Sequence, residues 1–235
     1  MNPYNPYAQP MTGAAVQADS SAFFRKVYAY MAGGLFATGV TATVVASSES
    51  LVNIILGNRI VFYGLLIAEF VMVLAFSKVI ERLSTMAAAA FFFSYAVLNG
   101  LTLSVIFLIY TASSIGSTFF VTAGTFGALS AYGYVTKRDL TGVGNFAMMG
   151  LIGLIIASVV NIFLNSPMIY WLTTFVGVIV FTALTAYDTQ KLKQFAASSA
   201  NPDQQSKVAL QGALMLYLDF INLFLYLLRV LGRRR

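Results

Sequence analysis

The chain has 235 residues, 59% of them hydrophobic and only 9% charged, with a net charge of +6. A soluble domain of this length needs far more charge to cover its surface, so the composition is that of a polytopic helical protein whose surroundings are the lipid bilayer, and no nucleic-acid partner is expected. Cysteine and histidine are both absent, which excludes disulfides, Cys/His zinc sites, haem held by those residues and any Ser–His or Cys–His nucleophile. No tightly bound cofactor is expected.

Residues 1–22 open with "MNPYNPYAQP", rich in Pro, Asn and Gln. Without the basic and apolar regions of a signal peptide, they read as a disordered cytoplasmic tail ahead of a membrane domain covering 23–235. Seven hydrophobic segments follow, at 27–46, 60–76, 87–109, 118–135, 146–164, 168–187 and 210–230. The connections carry turn or cap residues: "SSES" from Ser47, "TASSIGS" from Thr111, "TKRDLTGVG" from Thr136 and "NSP" from Asn165. One long polar linker, "AASSANPDQQSK", separates the sixth and seventh segments. In the fourth, Ala123, Gly127 and Ala131 recur four apart, a spacing that lets a neighbouring helix come close.

The basic residues alternate between connections. Arg25 and Lys26 precede the first segment, Lys78 and Arg82 follow the second, Lys137 and Arg138 follow the fourth, and Lys191, Lys193 and Lys207 lie between the sixth and seventh. The intervening loops hold only Arg59. The pattern predicts a cytoplasmic N-terminus. With seven full spans, the basic run Arg233–Arg235 falls on the opposite side; a re-entrant seventh segment would keep it inside.

Eight acidic residues make a census decisive. Asp19, Glu49, Asp139 and Asp203 lie outside the segments, and Glu81 ends the second. Glu69 lies within the second segment, Asp188 ends the sixth, and Asp219 sits inside "LMLYLDFINLFLYLLRVLG" with Asn222 three residues on. A carboxylate at the centre of a membrane helix costs about 2.5–3.5 kcal/mol on insertion scales, so each such residue is a functional candidate in search of a partner. Asp188 and Asp219 fall on antiparallel neighbours at similar depth, provided the sixth helix continues past Lys191. Two carboxyls meeting in low dielectric share a proton or hold a cation between them. The structural alternatives are helix capping, or pairing of Asp188 with Lys191. Arg82 either neutralises the pair and plugs the route or acts as an interfacial anchor. Glu69 either lines a cavity, as Asn222 would, or pairs with a hydroxyl such as that of Tyr63.

"LTAYDTQKLK" (184–193), "LYLDFINLFLYLLRVLG" (216–232) and the stretch 100–144 resemble the signature regions of the Bax inhibitor-1-like family, and of its bacterial inner-membrane members in particular. The resemblance implies an all-α fold of seven transmembrane helices, the last one central and wrapped by the other six. It implies a pH-sensitive calcium leak in the inner membrane, with Asp188 and Asp219 as the sensing pair and transient Ca²⁺ ligands, Arg82 as a lock on the closed pore, and Glu69 matching a glutamate of the second helix. The permeating ion would be Ca²⁺, with protons as the gating partner, which suits a site that offers only oxygen ligands. A membrane adaptor that binds a membrane protease or another membrane protein is the alternative. An intramembrane aspartyl protease is the remote one, because "LYLD" lacks the glycine that precedes the second aspartate in those enzymes, and no proline follows.

Overall fold

The computed structural model describes residues 13–198 and 202–235, so the expectation for residues 1–12 lies outside the described residues. Among the described residues every regular element is helical. In chain order these are α1 (Gly13–Ala46), α2 (Glu49–Ile55), α3 (Arg59–Val79) with a single 3₁₀ turn at Ile80–Arg82, α4 (Thr85–Leu103), α5 (Val105–Ile109), α6 (Ala112–Val135), α7 (Thr141–Leu164), α8 (Pro167–Ser198) and α9 (Pro202–Leu231).

The caps foreseen in the connections start helices. Ser48 accepts a hydrogen bond from the Leu51 N–H and Thr111 from Ser114, each supplying an acceptor to an otherwise orphan donor; Asn58, which the sequence reading did not single out, caps α3 through the Ile60 N–H. Asn165 takes the left-handed conformation (φ 48°) that ends α7, and Pro167 opens α8. In the α6–α7 connection, two hydrogen bonds from Thr141 hold the Asp139 carboxyl below the usual carboxylate range.

Several boundaries differ from the sequence expectation. Residues 13–22 are helical, because α1 continues N-terminally through Phe23, Phe24 and Val27, all buried. The polar linker at 196–207 is mostly helix: α8 runs on to Ser198 and α9 starts at Pro202. "TASSIGS" lies almost wholly inside α6. The third segment is broken at Ser104, whose hydroxyl donates to the Leu101 carbonyl at 2.6 Å.

Six helices among the described residues are long and apolar enough to cross a membrane: 20–46, 59–82, 85–109, 141–164, 167–196 and 203–231. α6 has similar length but a more polar composition, and its burial pattern explains why. Ser114, Thr118, Thr122 and Ser130 lie on its buried face, turned toward the other helices. α9 touches α1, α4, α6 and α8, and its Leu210, Leu216, Tyr217, Leu223 and Leu228 are among the most buried side chains. α3 and α7 lie outermost, α3 against α4 and α7 against α8.

The close helix contacts are made by glycines other than those foreseen. A Cβ on Gly127 would meet nothing within 4 Å, and Ala123, Gly127 and Ala131 line an open groove between α1 and α6. A Cβ on Gly133 would stand 2.1 Å from the Ala186 carbonyl oxygen of α8. That is where α6 and α8 meet backbone to backbone.

Candidate functional site

The extension of α8 past Tyr187 creates the site. Antiparallel α8 and α9 approach closely at two glycines: Gly212 of α9 against Leu192, and Gly177 of α8 against Tyr226. Between these contacts the two helices bring the Asp188 and Asp219 carboxyls within hydrogen-bonding reach of each other. Both side chains are buried. Asp219 Oδ2 receives no hydrogen bond from any donor among the described residues.

Two carboxyls can hydrogen-bond to each other only with a proton between them. Without it, two negative charges face each other in a low-dielectric interior, where repulsion is strong. The arrangement can therefore hold one proton, or exchange that proton for a cation. Two aspartates supply at most four oxygens, against the six to eight a resident Ca²⁺ prefers. No cluster of three or more acidic side chains occurs among the described residues.

Lys191 supplies the positive charge that Asp188 feels. Its ammonium rests against the rings of Tyr187 and Phe195, at 5.9 and 5.8 Å from their centroids, and it makes no ion pair with Asp188; the ion pair among the described residues joins Lys207 to Asp203. Beside Asp188, the Tyr28 hydroxyl of α1 hydrogen-bonds Ser130 of α6, and Ser130 lies 2.8 Å from the Thr189 hydroxyl of α8. This hydroxyl string ties three helices together at Thr189, the residue after Asp188.

The remaining sequence candidates lie elsewhere. Arg82 is exposed in the 3₁₀ turn after α3 and is not brought to the aspartates. Asn222 turns back on its own helix, where its amide donates to the Leu218 carbonyl at 2.8 Å. Glu69 is half-buried between α3 and α4 and accepts from Thr102 Oγ1 at 2.6 Å and Asn99 Nδ2 at 3.2 Å. Tyr63, its expected partner, points away and is 61% exposed. Sequence reasoning missed Asn99, Thr102, Thr38 and Tyr217, which form a buried polar group around Glu69. The signal was available in Asn99, an amide in the middle of an apolar helix.

Fold and site together define a class: an all-α protein with six helices suited to cross a membrane and a buried carboxyl pair between its last two. The family model "Inhibitor of apoptosis-promoting Bax1" matches residues 20–235. The chain belongs to the Bax inhibitor-1 family. It is 47% identical over 230 residues to the inner membrane protein YbhL of Escherichia coli, covering 96% of this chain and 98% of that one. A Rickettsia prowazekii protein, RP147, is 46% identical over 217 residues, covering 91% of this chain and 90% of its own length. A Borreliella burgdorferi protein is 43% identical over 214 residues, covering 91% and 92%.

Proposed function

We propose that this protein is a passive, pH-sensitive cation leak of the bacterial inner membrane, permeable to Ca²⁺, with the Asp188–Asp219 pair as its sensing element. Seven helices cross the bilayer, α6 included, and α9 is the hub of the bundle. The N-terminus and the α8–α9 connection face the cytoplasm. The chain acts as a pathway and not as an enzyme. One observation carries this reading: two buried carboxyls face each other, and among the described residues neither has an ion pair and Asp219 Oδ2 has no donor.

The sign of the pH response follows from that geometry. At acidic pH a shared proton closes the pair into one charge-assisted hydrogen bond carrying a single negative charge, with Lys191 nearby. At higher pH the proton leaves, and the two charges repel until the helices part or a divalent cation enters. Leak rises from acidic to neutral pH.

Calcium uptake into proteoliposomes, measured against internal and external pH, tests this. Asp219→Asn removes one charge and the shared proton and flattens the profile; Asp188→Asn does the same. The double variant adds little, because both changes break one unit. A protein that conducts no Ca²⁺ at any pH, or single variants with the wild-type profile, ends the proposal.

A further inference from the structure

A second group of buried polar side chains, apart from the aspartates, runs through four helices as one chain of hydrogen bonds. Thr38 Oγ1 of α1 lies 2.6 Å from the Tyr217 hydroxyl of α9. That hydroxyl lies 3.1 Å from Asn99 Oδ1 of α4, and Asn99 Nδ2 lies 3.2 Å from Glu69 Oε2 of α3. At the far end, Thr102 Oγ1 is 2.6 Å from Glu69 Oε1.

The chain has more contacts than hydroxyl hydrogens. Thr38 Oγ1 also lies 2.8 Å from the Ala96 carbonyl and 3.0 Å from that of Gly34. Thr102 Oγ1 also lies 2.9 Å from the Asn99 carbonyl. Each hydroxyl donates one hydrogen, a carboxylate only accepts, and the two ends of an amide exchange roles on a half-turn. Two complete assignments satisfy these counts.

With Glu69 ionised, Thr102 and the Asn99 amide nitrogen donate to its carboxylate, Tyr217 donates to the Asn99 oxygen, and Thr38 donates to Tyr217. With Glu69 protonated at Oε2, the arrows through Asn99, Tyr217 and Thr38 reverse. Glu69 donates to the Asn99 oxygen, the amide nitrogen to Tyr217, Tyr217 to Thr38, and Thr38 to a backbone carbonyl, while Thr102 turns to the Asn99 carbonyl. Each contact along the chain keeps one donor and one acceptor in either state.

We propose that Glu69 is a reversible proton-binding site separate from the aspartate pair, and that Asn99, Tyr217 and Thr38 reverse their donor direction when it loads. The surroundings favour proton uptake over ion pairing. The titratable groups facing Glu69 are Tyr95 from α4 and Tyr217 from α9. α2, also against α3, sends it none, and no lysine or arginine pairs with it among the described residues. The site stands whether or not the protein conducts calcium.

Infrared difference spectroscopy of the full chain in lipid bilayers tests this, against an Asp188→Asn/Asp219→Asn background that removes the other buried carboxyls. A protonated-carboxyl stretch that titrates with pH is expected in that background and is lost on Glu69→Gln. Thr38→Val touches no atom of Glu69, yet it strands the Tyr217 hydrogen in the protonated state only. Because an unpaired buried donor costs more than an unfilled acceptor, the midpoint moves to lower pH. Tyr217→Phe moves it the same way by stranding the Asn99 amide, and Thr38→Ser leaves it in place. Thr102→Val removes a donor from the ionised state and moves the midpoint to higher pH. A stretch that is absent, does not titrate or survives Glu69→Gln overturns the site. A midpoint indifferent to both Thr38→Val and Tyr217→Phe overturns the relay.

Discussion

Arg82 and Lys191 show how much a side chain's role depends on which way its helix turns. Both are basic, but Lys191 lies within α8 three residues past Asp188, which feels its charge, while Arg82 stands exposed in the turn at 80–82. On the proposed function, Arg82→Ala therefore leaves Ca²⁺ flux and its pH profile at wild-type values in proteoliposomes. A raised leak at acidic pH would show that Arg82 swings inward to lock the pathway. The acidic candidates were legible in the sequence because so few acids exist and membrane helices penalise each one. Their partners were less so. Tyr63 lies six residues before Glu69, off the three- and four-residue spacing that makes neighbours on one helix. The actual partners, Asn99 and Thr102, come from another helix, and only the rotation of α4 against α3 reveals them.

At the scale of the element, each hydrophobic segment falls on a long helix among the described residues, the third on α4 and α5 together, but hydropathy misjudged where the helices end. It measures the length a helix offers to lipid, whereas polar residues at the bundle ends stay helical when neighbours satisfy them. Lys26 reaches Ser206, Thr85 donates to Asp203, and Gln190 bonds both the Leu140 N–H and the Arg138 carbonyl. Small-residue spacing misled for a related reason: it identifies a smooth face without saying what fills it. Gly133→Ala forces a methyl toward the Ala186 carbonyl and costs about 1–3 kcal/mol of overpacking, whereas Gly127→Ala is absorbed by open space. Thermal unfolding in detergent separates the two. Equal melting temperatures would mean that α6 and α8 do not meet at Gly133.

For the whole molecule, α9 decides the topology. It is one unbroken helix of 30 residues, roughly 45 Å at about 1.5 Å per residue, against a hydrocarbon core of about 30 Å. Its first turns share an end with Glu81, whose carbonyl accepts from Lys207, and with Thr85. Its last residues lie at the other end, where the Thr111 N–H donates to the Arg233 carbonyl, that of Arg235 to Ile109, and Arg229 rests over the Tyr170 and Tyr226 rings. A reporter inserted near residue 203 and one fused after Arg235 should therefore read from opposite sides of the membrane, the first cytoplasmic. Identical readings would return α9 to a re-entrant hairpin, which the charge pattern alone left open.

The burial of α9 also sets an order on biogenesis. This helix leaves the ribosome after the helices it touches, yet it supplies the Tyr217 hydroxyl that reaches Thr38 and Asn99, and the carboxyl that faces Asp188. Until it inserts, α1, α4 and α8 carry those polar groups in lipid without these partners. The nascent chain must then keep them near water, near the translocation machinery, or against one another in temporary pairings. Insertion of α9 ends that state, so quality control in the membrane has a physical marker by which to tell a chain with α9 in place from one without it: polar side chains still open to the bilayer.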